Sequence, residues 1–339
     1  MSPQAPQGER FSVARLPNYW YVACRSRDLG RRPLGRTLLG TPLVLFRDAE
    51  GRAGALLDRC AHRNLPLSLG RCSAGRLECA YHGWQYDRDG VCRSVPGLLD
   101  GAEGKARSVL AYAVREQQGF VWVFGAPAVS PGAEPFRFPF LAAPGYTSVH
   151  FEYEVEATLH ATLENMLDVP HTAFLHRGLF RGGRRSEVTA IVRRWPDRVE
   201  AEYVGEPRPT GLVAKLLAPG GEGTVAHFDR FLLPSISQVE YRLGESSHLF
   251  VCAALTPVAD FRTRFFAVVS FRLPLPPALV RLAVTPVARR IFMQDAAILR
   301  SQTEAIRRFG GERYTSTEID LLGPQIRRLM KEAEQGSTA

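Results

Sequence analysis

The feature that most constrains this chain is a pair of short motifs that together offer two thiolate and two imidazole ligands. Cys60-Ala-His62 is followed, after sixteen residues, by Cys79-Ala-Tyr-His82. Two Cys and two His suit either one tetrahedral zinc ion or a [2Fe–2S] cluster in which one iron takes both thiolates and the other takes both imidazoles. Zinc would be structural and the cluster would transfer electrons, so the rest of the chain has to decide between them.

The N-terminal part of the chain is predicted to be an all-β domain over residues 11–126. Short β-prone runs are broken by turn signals, and Cys60 and Cys79 are each expected directly after a strand. Prolines then recur every four or five residues over 127–145 and block regular structure there. We therefore assign residues 127–145 to a linker.

The C-terminal part, residues 146–331, is predicted to be an α+β domain. Its strands alternate around one helical segment near residues 161–175, and a long helix at about 286–309 is followed by a shorter one near 319–331. A large antiparallel sheet closed by a long helix belongs to the α+β class.

Bulk composition excludes several functional classes. The net charge is +9, but the basic residues are scattered in pairs, so a nucleic-acid partner is not expected. A basic face that binds an acidic electron-carrier protein is expected instead. No apolar run approaches the length of a membrane span, and the N-terminal residues show no secretory signal, so a cytoplasmic location is expected. Six cysteines do not suggest a disulfide framework, although a bridge between Cys72 and Cys92 stays open.

A second set of ligand-type residues follows the linker. His171 and His176 are five residues apart, and on an ideal helix their side chains would point about 140° away from each other. Pro170 interrupts the helix and allows His176 to be re-aimed. Asp168 lies three residues before His171, where its carboxylate can hydrogen-bond the imidazole.

The long C-terminal helix supplies a possible third ligand, Asp295. This carboxylate falls within an apolar stripe that includes Ile291 and Ile298, and Gln302 is a second polar residue on the same face. A buried carboxylate requires a cation, so either a metal or a neighbouring arginine should neutralise it. Two His and one carboxylate form the facial triad of non-haem Fe(II) oxygenases, which leaves positions open for O₂.

At this point the chain resembles the oxygenase (α) subunits of the Rieske non-haem iron oxygenases. The resemblance covers residues from about 18 to 309 in the family's order, and its branch is that of vanillate O-demethylase, dicamba demethylase and pheophorbide oxygenase. The loops lack the additional cysteines of respiratory Rieske proteins. The matching motifs are Cys60-Ala-His62-Arg63, Cys79-Ala-Tyr-His82-Gly-Trp84 with Tyr86-Asp87 and Gly90, and Glu164-Asn165-Met-Leu-Asp168-Val-Pro-His171-Thr-Ala-Phe-Leu-His176.

The resemblance implies a Rieske [2Fe–2S] domain followed by a helix-grip (START-like) catalytic domain. It implies a homotrimer that takes electrons from a ferredoxin or flavin reductase, with NAD(P)H used only through that reductase. The expected reaction is O₂-dependent monooxygenation, by hydroxylation or oxidative demethylation, of an aromatic or polycyclic small molecule. Cis-dihydroxylation at the same site is the alternative.

The resemblance also implies a role for each site residue. The cluster would be held by Cys60, His62, Cys79 and His82, and the mononuclear Fe(II) by His171, His176 and Asp295. Asp168 is expected to bridge a cluster histidine of one subunit to His171 of the next, and Asn165 to line the iron pocket. Two other classes stay open: a cluster-only electron-transfer protein, and a zinc-stabilised helix-grip binding protein.

Other notable residues receive a structural interpretation. Four histidines show no carboxylate at useful spacing and are expected to be structural: His150, His160, His227 and His248. The Phe-rich stretch from Phe261 to Phe271 is expected to be core, and the loops near residues 205–223 are expected to shape the substrate pocket. The substrate itself does not follow from the sequence.

Overall fold

A computed structural model describes residues 13, 15–98, 101, 103–177, 187–207, 224–243, 247–273 and 276–337. The chain divides into two compact units, Leu16–Arg137 and a second formed mainly by Phe138–Ala339. The boundary between them falls within the predicted linker. Most of the predicted pocket loop, residues 208–223, lies outside the described residues.

The first unit is all-β, as predicted. Six strands form one antiparallel sheet in the order β1-β10-β9-β4-β3-β2, and four short strands form a second, β5-β6-β7-β8. The strands are β1 Trp20–Arg25, β2 Leu34–Leu38, β3 Thr41–Arg47, β4 Ala53–Leu57, β5 Arg71–Ser73, β6 Arg76–Glu78, β7 Gln85–Tyr86, β8 Cys92–Ser94, β9 Ala111–Gln117 and β10 Phe120–Pro127.

The two cysteine motifs of this unit lie at the ends of strands. Cys79 follows β6 directly, whereas Cys60 comes three residues after β4 rather than immediately after it. Both thiols are buried in a hydrophobic cluster with Tyr86 and Cys92. All six cysteines are free, so the Cys72–Cys92 bridge is not formed.

The second unit is α+β, as predicted, and is built on a seven-stranded antiparallel sheet of order β11-β17-β16-β15-β14-β13-β12. Helices pack on the sheet through a large apolar core. The elements are β11 Thr147–Val155, α1 Leu159–Leu167, α2 Thr172–Leu175, β12 Thr189–Arg194, β13 Arg198–Val204, β14 Ala226–Leu232, β15 Ile236–Arg242, β16 His248–Ala259, β17 Arg262–Arg272, α3 Pro277–Phe309 and α4 Gly323–Ser337.

The long helix α3 corrects two sequence predictions. It begins nine residues earlier than predicted, at Pro277, and keeps Pro286 inside it. A proline removes one backbone hydrogen bond, but Val280 and Val284 are buried in the core and hold the preceding turns in place. No helix in the described residues is long and apolar enough to span a membrane.

The buried face of α3 is also rotated from the predicted one. Ile298, which belongs to the predicted apolar stripe, is 48% exposed. The residues that face the core towards the C-terminal end are Leu299, Thr303 and Ile306. Asp295 nevertheless faces inwards, because it shares a face with Ile291 and Phe292 rather than with Ile298.

Candidate metal centres

The two cysteine motifs form turns with the same backbone hydrogen bonds. The amide of Cys60 donates to the carbonyl of Leu65 (2.9 Å), and the amide of Cys79 donates to that of Trp84 (2.9 Å). Each turn has one residue in the left-handed region, Asn64 at φ 63° and Gly83 at φ 70°. Two equivalent turns therefore present a Cys and a His each.

The side chains of these turns are arranged as a thiol pair and an imidazole pair. The two thiols interact with each other, and burial raises the pKa of Cys79. The rings of His62 and His82 meet edge to face with centroids 4.5 Å apart, and Trp84 stacks on His62 at 4.8 Å. Nδ1 of His62 is buried without a hydrogen-bond partner, which is costly unless it binds a metal.

Around the thiol pair, Tyr86 supplies a hydrogen bond that the sequence did not predict. The amide of Ala61 donates to the Tyr86 hydroxyl (3.3 Å), which leaves the hydroxyl hydrogen directed to Cys60 Sγ, also at 3.3 Å. Hydrogen bonds to ligating sulfur tune iron–sulfur centres.

The spacing of these four side chains distinguishes a site for one zinc ion from a site for a two-iron cluster. Among the described residues, the ligand atoms of His171, His176 and Asp295 all lie within 4.8 Å of one another, whereas the Cys–His motifs bring no three ligand atoms that close together. Ligands around one zinc lie within about 4.6 Å of one another, because each bond is at most about 2.3 Å. A separated thiol pair and imidazole pair instead fit two irons.

Three helices of the second unit bring the other ligand set together. Helix α1 ends at Leu167, and Asp168 follows with extended backbone. The short helix α2 begins after His171 and ends before His176, so the break near Pro170 re-aims the second histidine as predicted. Asp295 comes from the middle of α3.

Both imidazoles converge on one carboxylate oxygen. Oδ1 of Asp295 lies 3.1 Å from Nε2 of His176 and 3.6 Å from Nε2 of His171. The two rings are nearly perpendicular, with centroids 5.1 Å apart. The predicted alternative, an ion pair between Asp295 and Arg289 or Arg290, is not found among the described contacts of Asp295.

Hydrogen bonds to the opposite nitrogens fix the orientation of both rings. Nδ1–H of His171 donates to the backbone carbonyl of Asp168, and Nδ1–H of His176 donates to Oε1 of Gln294 (3.0 Å). Both Nε2 atoms therefore face Asp295, where either a proton or a metal can bind them. The Asp168 carboxylate accepts from the His171 amide at 3.2 Å and lies 3.4 Å from its Nδ1. No sequence pattern predicts the role of Gln294, apart from its place beside Asp295.

The electrostatics of the triad favour a cation. Burial lowers the pKa of His171, but hydrogen bonds with the carboxylates of Asp168 and Asp295 outweigh it and raise that pKa to about 9. Burial raises the pKa of Asp295, but hydrogen bonds from His171 and His176 outweigh it and lower that pKa. A buried site that stabilises positive charge beside two imidazole nitrogens suits a divalent metal.

Two cavities flank the triad, and Asn165 and His171 line both. One has a volume of about 170 Å³ and an apolar lining, with the triad at one end. The other, of about 550 Å³, is bordered by Asp168, Phe174 and Gln302. Asn165 thus lines both cavities, and its expected role in the iron pocket stays a prediction.

The structure corrects the expectation that the remaining histidines lack carboxylate partners. His227 is buried between Glu206 (2.6 Å) and Asp229 (3.0 Å), and it lies in a cross-strand row between Tyr203 and Tyr241. Burial lowers its pKa, but the two carboxylates raise it to about 9.

Two further histidines have partners on other elements. His248 donates to Glu240 (3.1 Å), and His160 donates to the carbonyl of Gly323 (2.9 Å) and lies 3.9 Å from Glu164. The contacts of His227 with Glu206 and of His160 with Gly323 join elements far apart in sequence, so local spacing does not reveal them. Asp229 and Glu164, in contrast, lie only two and four residues from their histidines, and the sequence interpretation missed them.

Two family models match the chain. Residues 19–102 match the Rieske [2Fe-2S] domain, and residues 155–336, more than half of the chain, match the vanillate O-demethylase oxygenase C-terminal domain. The dicamba O-demethylase oxygenase component of Stenotrophomonas maltophilia is 38% identical over 211 residues, which is 61% of this chain and 58% of that protein. Protein TIC 55 of Arabidopsis thaliana is 30% identical over 295 residues, 85% of this chain and 53% of that protein.

Solved structures share the fold along the whole chain. The crystal structure of dicamba monooxygenase bound to 3,6-dichlorosalicylic acid has a TM-score of 0.84 at 25% identity and covers 96% of this chain and 100% of that one. Another structure of dicamba monooxygenase contains non-haem iron and dicamba. This chain spans only slightly more than half the length of the curated relatives above. It belongs to the Rieske non-haem iron oxygenases, in the family with a C-terminal domain of the vanillate O-demethylase type.

Proposed function

We propose that the chain is the terminal oxygenase component of a multicomponent system that monooxygenates an aromatic or polycyclic small molecule. The reaction would be hydroxylation or oxidative demethylation. The observation that carries the proposal is the convergence of two Nε2 atoms and one carboxylate oxygen at the end of an apolar cavity. This triad leaves coordination positions open for small molecules.

Cys60, His62, Cys79 and His82 would hold a [2Fe–2S] cluster, and His171, His176 and Asp295 would hold Fe(II). The thiol and imidazole pairs and the buried, unpartnered His62 Nδ1 support the first assignment. The orientation of both Nε2 atoms towards Asp295 supports the second. When bound, the cluster supplies single electrons and the Fe(II) supplies O₂ chemistry.

The protein's own residues orient and protect this chemistry. Asp168 and Gln294 hold the two imidazoles with Nε2 towards Asp295. The apolar cavity excludes water from the reacting part of the substrate. Asn165 is placed to contact a molecule that enters from either cavity.

A homotrimer and a separate electron donor complete the proposal. In the second unit, the cavity bordered by Asp168 is also lined by the exposed apolar residues Phe174 and Ile319. In the first unit, His82 is exposed next to Tyr81, itself 63% exposed. Exposed side chains at both candidate centres suit an arrangement in which Asp168 meets a cluster histidine of the neighbouring subunit. A cytoplasmic location stays a prediction from the sequence.

Metal analysis and oxygen uptake test the proposal together. Anaerobically purified protein should contain about three iron and about two acid-labile sulfide per chain. With a surrogate ferredoxin and reductase, it should consume O₂ only when a compound from an aromatic and polycyclic panel is present. About two iron without O₂ uptake would favour an electron carrier, and zinc without sulfide a binding protein. Product analysis separates monooxygenation from cis-dihydroxylation.

A further inference from the structure

The apolar cavity beside the triad has one wall on the sheet and one on helix α3. On the sheet, Val239, Val251 and Val269 pair directly across β15, β16 and β17, so their side chains form one row. All three valines line the cavity. Because β-branched side chains have few rotamers, this wall is stiff.

The opposite wall is one face of α3. Val284, Val287, Ala288 and Ile291 recur at three- and four-residue intervals, and Asp295 continues the same face one turn further on. A molecule between the valine row and this face would therefore have one end at the triad. The cavity of about 170 Å³ compares with about 150 Å³ for a dry apolar cavity that binds benzene.

Among the described residues that line this cavity there is no Lys or Arg, and the titratable groups apart from Tyr241 are those of the triad itself. The other polar groups are neutral: Asn165, Thr172 and the hydroxyl of Tyr241. The Thr172 hydroxyl already donates to the carbonyl of Val169 at 2.7 Å. Against these described walls, a carboxylate or sulfonate would lose its hydration without gaining a Lys or Arg partner.

We infer that the substrate class of this site is an uncharged, predominantly apolar molecule whose reacting part is about the size of one substituted ring. The inference rests on the proposed function, because it concerns the same site. The valine row determines the specificity of this site, because it binds the substrate by shape and apolar contact. An aromatic acid of the same shape is rejected because its carboxylate would have to lie against this apolar wall.

Equilibrium binding tests the inference without turnover. Anaerobic titration calorimetry on the iron-loaded full chain would compare anisole with 4-methoxybenzoate, and ethylbenzene with 4-ethylbenzoate. The uncharged member of each pair should bind at least about tenfold more tightly, equivalent to about 1.4 kcal/mol. Equal or tighter binding of the acids would overturn the inference, and so would the failure of both uncharged compounds to bind.

Two variants at the centre of the row sharpen the result. Val251→Lys places a cation in the wall and should remove the preference, because the acids should then bind at least about tenfold better than they do to the wild type. Val251→Met is the neutral control of similar length and should not gain affinity for the acids. Loss of the preference in Val251→Met, or no gain in a folded Val251→Lys, would contradict the role of the row.

The inference and the proposed function fail in different ways. Binding of uncharged ligands without any O₂ uptake would leave the cavity assignment intact and count against the oxygenase. Substrate-dependent O₂ uptake with acids alone would support the oxygenase and overturn the substrate class. Iron content, measured on each sample, shows whether the triad was loaded in both experiments.

Discussion

Asp295 is the residue on which the two imidazoles converge, so its removal tests the mononuclear site. Asp295→Ala should lower iron from about three to about two per chain and leave about two sulfides, because the Cys–His motifs are unaffected. Elemental and sulfide analysis measure this. Glu304→Gln, on the exposed side of the same helix, is the control and should keep all three iron. Loss of sulfide together with iron in Asp295→Ala would contradict two independent centres.

Asp168 holds His171 through its backbone carbonyl, whereas its carboxylate borders the open cavity. Asp168→Asn keeps the carbonyl and should therefore leave both metals bound. Turnover should fall at least about tenfold, since partners of metal ligands typically contribute 10–100-fold. Asp320→Asn changes a carboxylate on the same cavity and should have little effect. Wild-type turnover by Asp168→Asn would show that this carboxylate is not on the electron path.

The buried pair of carboxylates around His227 predicts a pH-dependent stability. The pKa of His227 is about 9 in the folded protein, above the ordinary value of about 6.5, so protonation stabilises the fold fully below pH ~6.5. This contribution, about 3 kcal/mol, is lost as pH rises through about 9. Urea unfolding at pH 6.5 and 9.5 should show a larger loss for the wild type than for His227→Gln. His150→Gln, at an exposed position, should behave like the wild type.

At the residue scale, candidate ligands are easier to recognise in the sequence than the residues that support them. Cys60, His62, Cys79 and His82 lie in two short motifs, so their spacing is visible without the fold. Gln294 contacts a histidine 118 residues away, and Glu206 contacts His227 across 21 residues. Such pairs depend on strand register and helix rotation, which a single sequence does not determine.

Helix α1 carries Asn165 and precedes Asp168, so the N-terminal cap that stabilises this helix also supports the site. The Thr158 hydroxyl accepts from the amide of Ala161 at 3.1 Å. Thr158→Ala should lower the free energy of unfolding by about 1 kcal/mol, because it leaves that amide without its cap. Thr158→Ser keeps the hydroxyl and is the matched control. Urea unfolding of both variants measures the difference, and equal stability would mean that the cap contributes nothing.

Among the elements, α3 shows that sequence patterns alone do not predict where a helix begins or which of its faces is buried. The carboxylate within an apolar stripe was recognised correctly, but the stripe was phased through Ile298, which is exposed, rather than through Phe292. The predicted start of the helix is at about Pro286, a residue type that is over-represented at the first helical position, yet Pro286 lies inside α3. Tertiary packing of Val280 and Val284 extended the helix past that point, and local propensity contains no information about such packing.

At the scale of the whole molecule, the two candidate centres belong to separate compact units, and each centre is exposed or lies beside a cavity lined by apolar residues. Electron transfer between them requires a close approach that a second copy of the chain can supply. The Cys–His motifs and the facial triad could be predicted from the sequence as parts. The proposed pairing of the two centres between subunits does not follow from residue patterns, because no such pattern encodes a symmetry operation.

The trimer proposal makes a prediction about one exposed side chain. Phe174 is 73% exposed and lines the cavity that contains Asp168. Phe174→Asp should convert a trimer to monomers, because a charge buried in an apolar interface is unfavourable, and should abolish steady-state turnover while iron and sulfide stay unchanged. Phe309→Asp is the matched control, since Phe309 is 77% exposed and does not line this cavity. Analytical ultracentrifugation separates the outcomes: a trimeric, active Phe174→Asp would place the subunit interface elsewhere on the molecule.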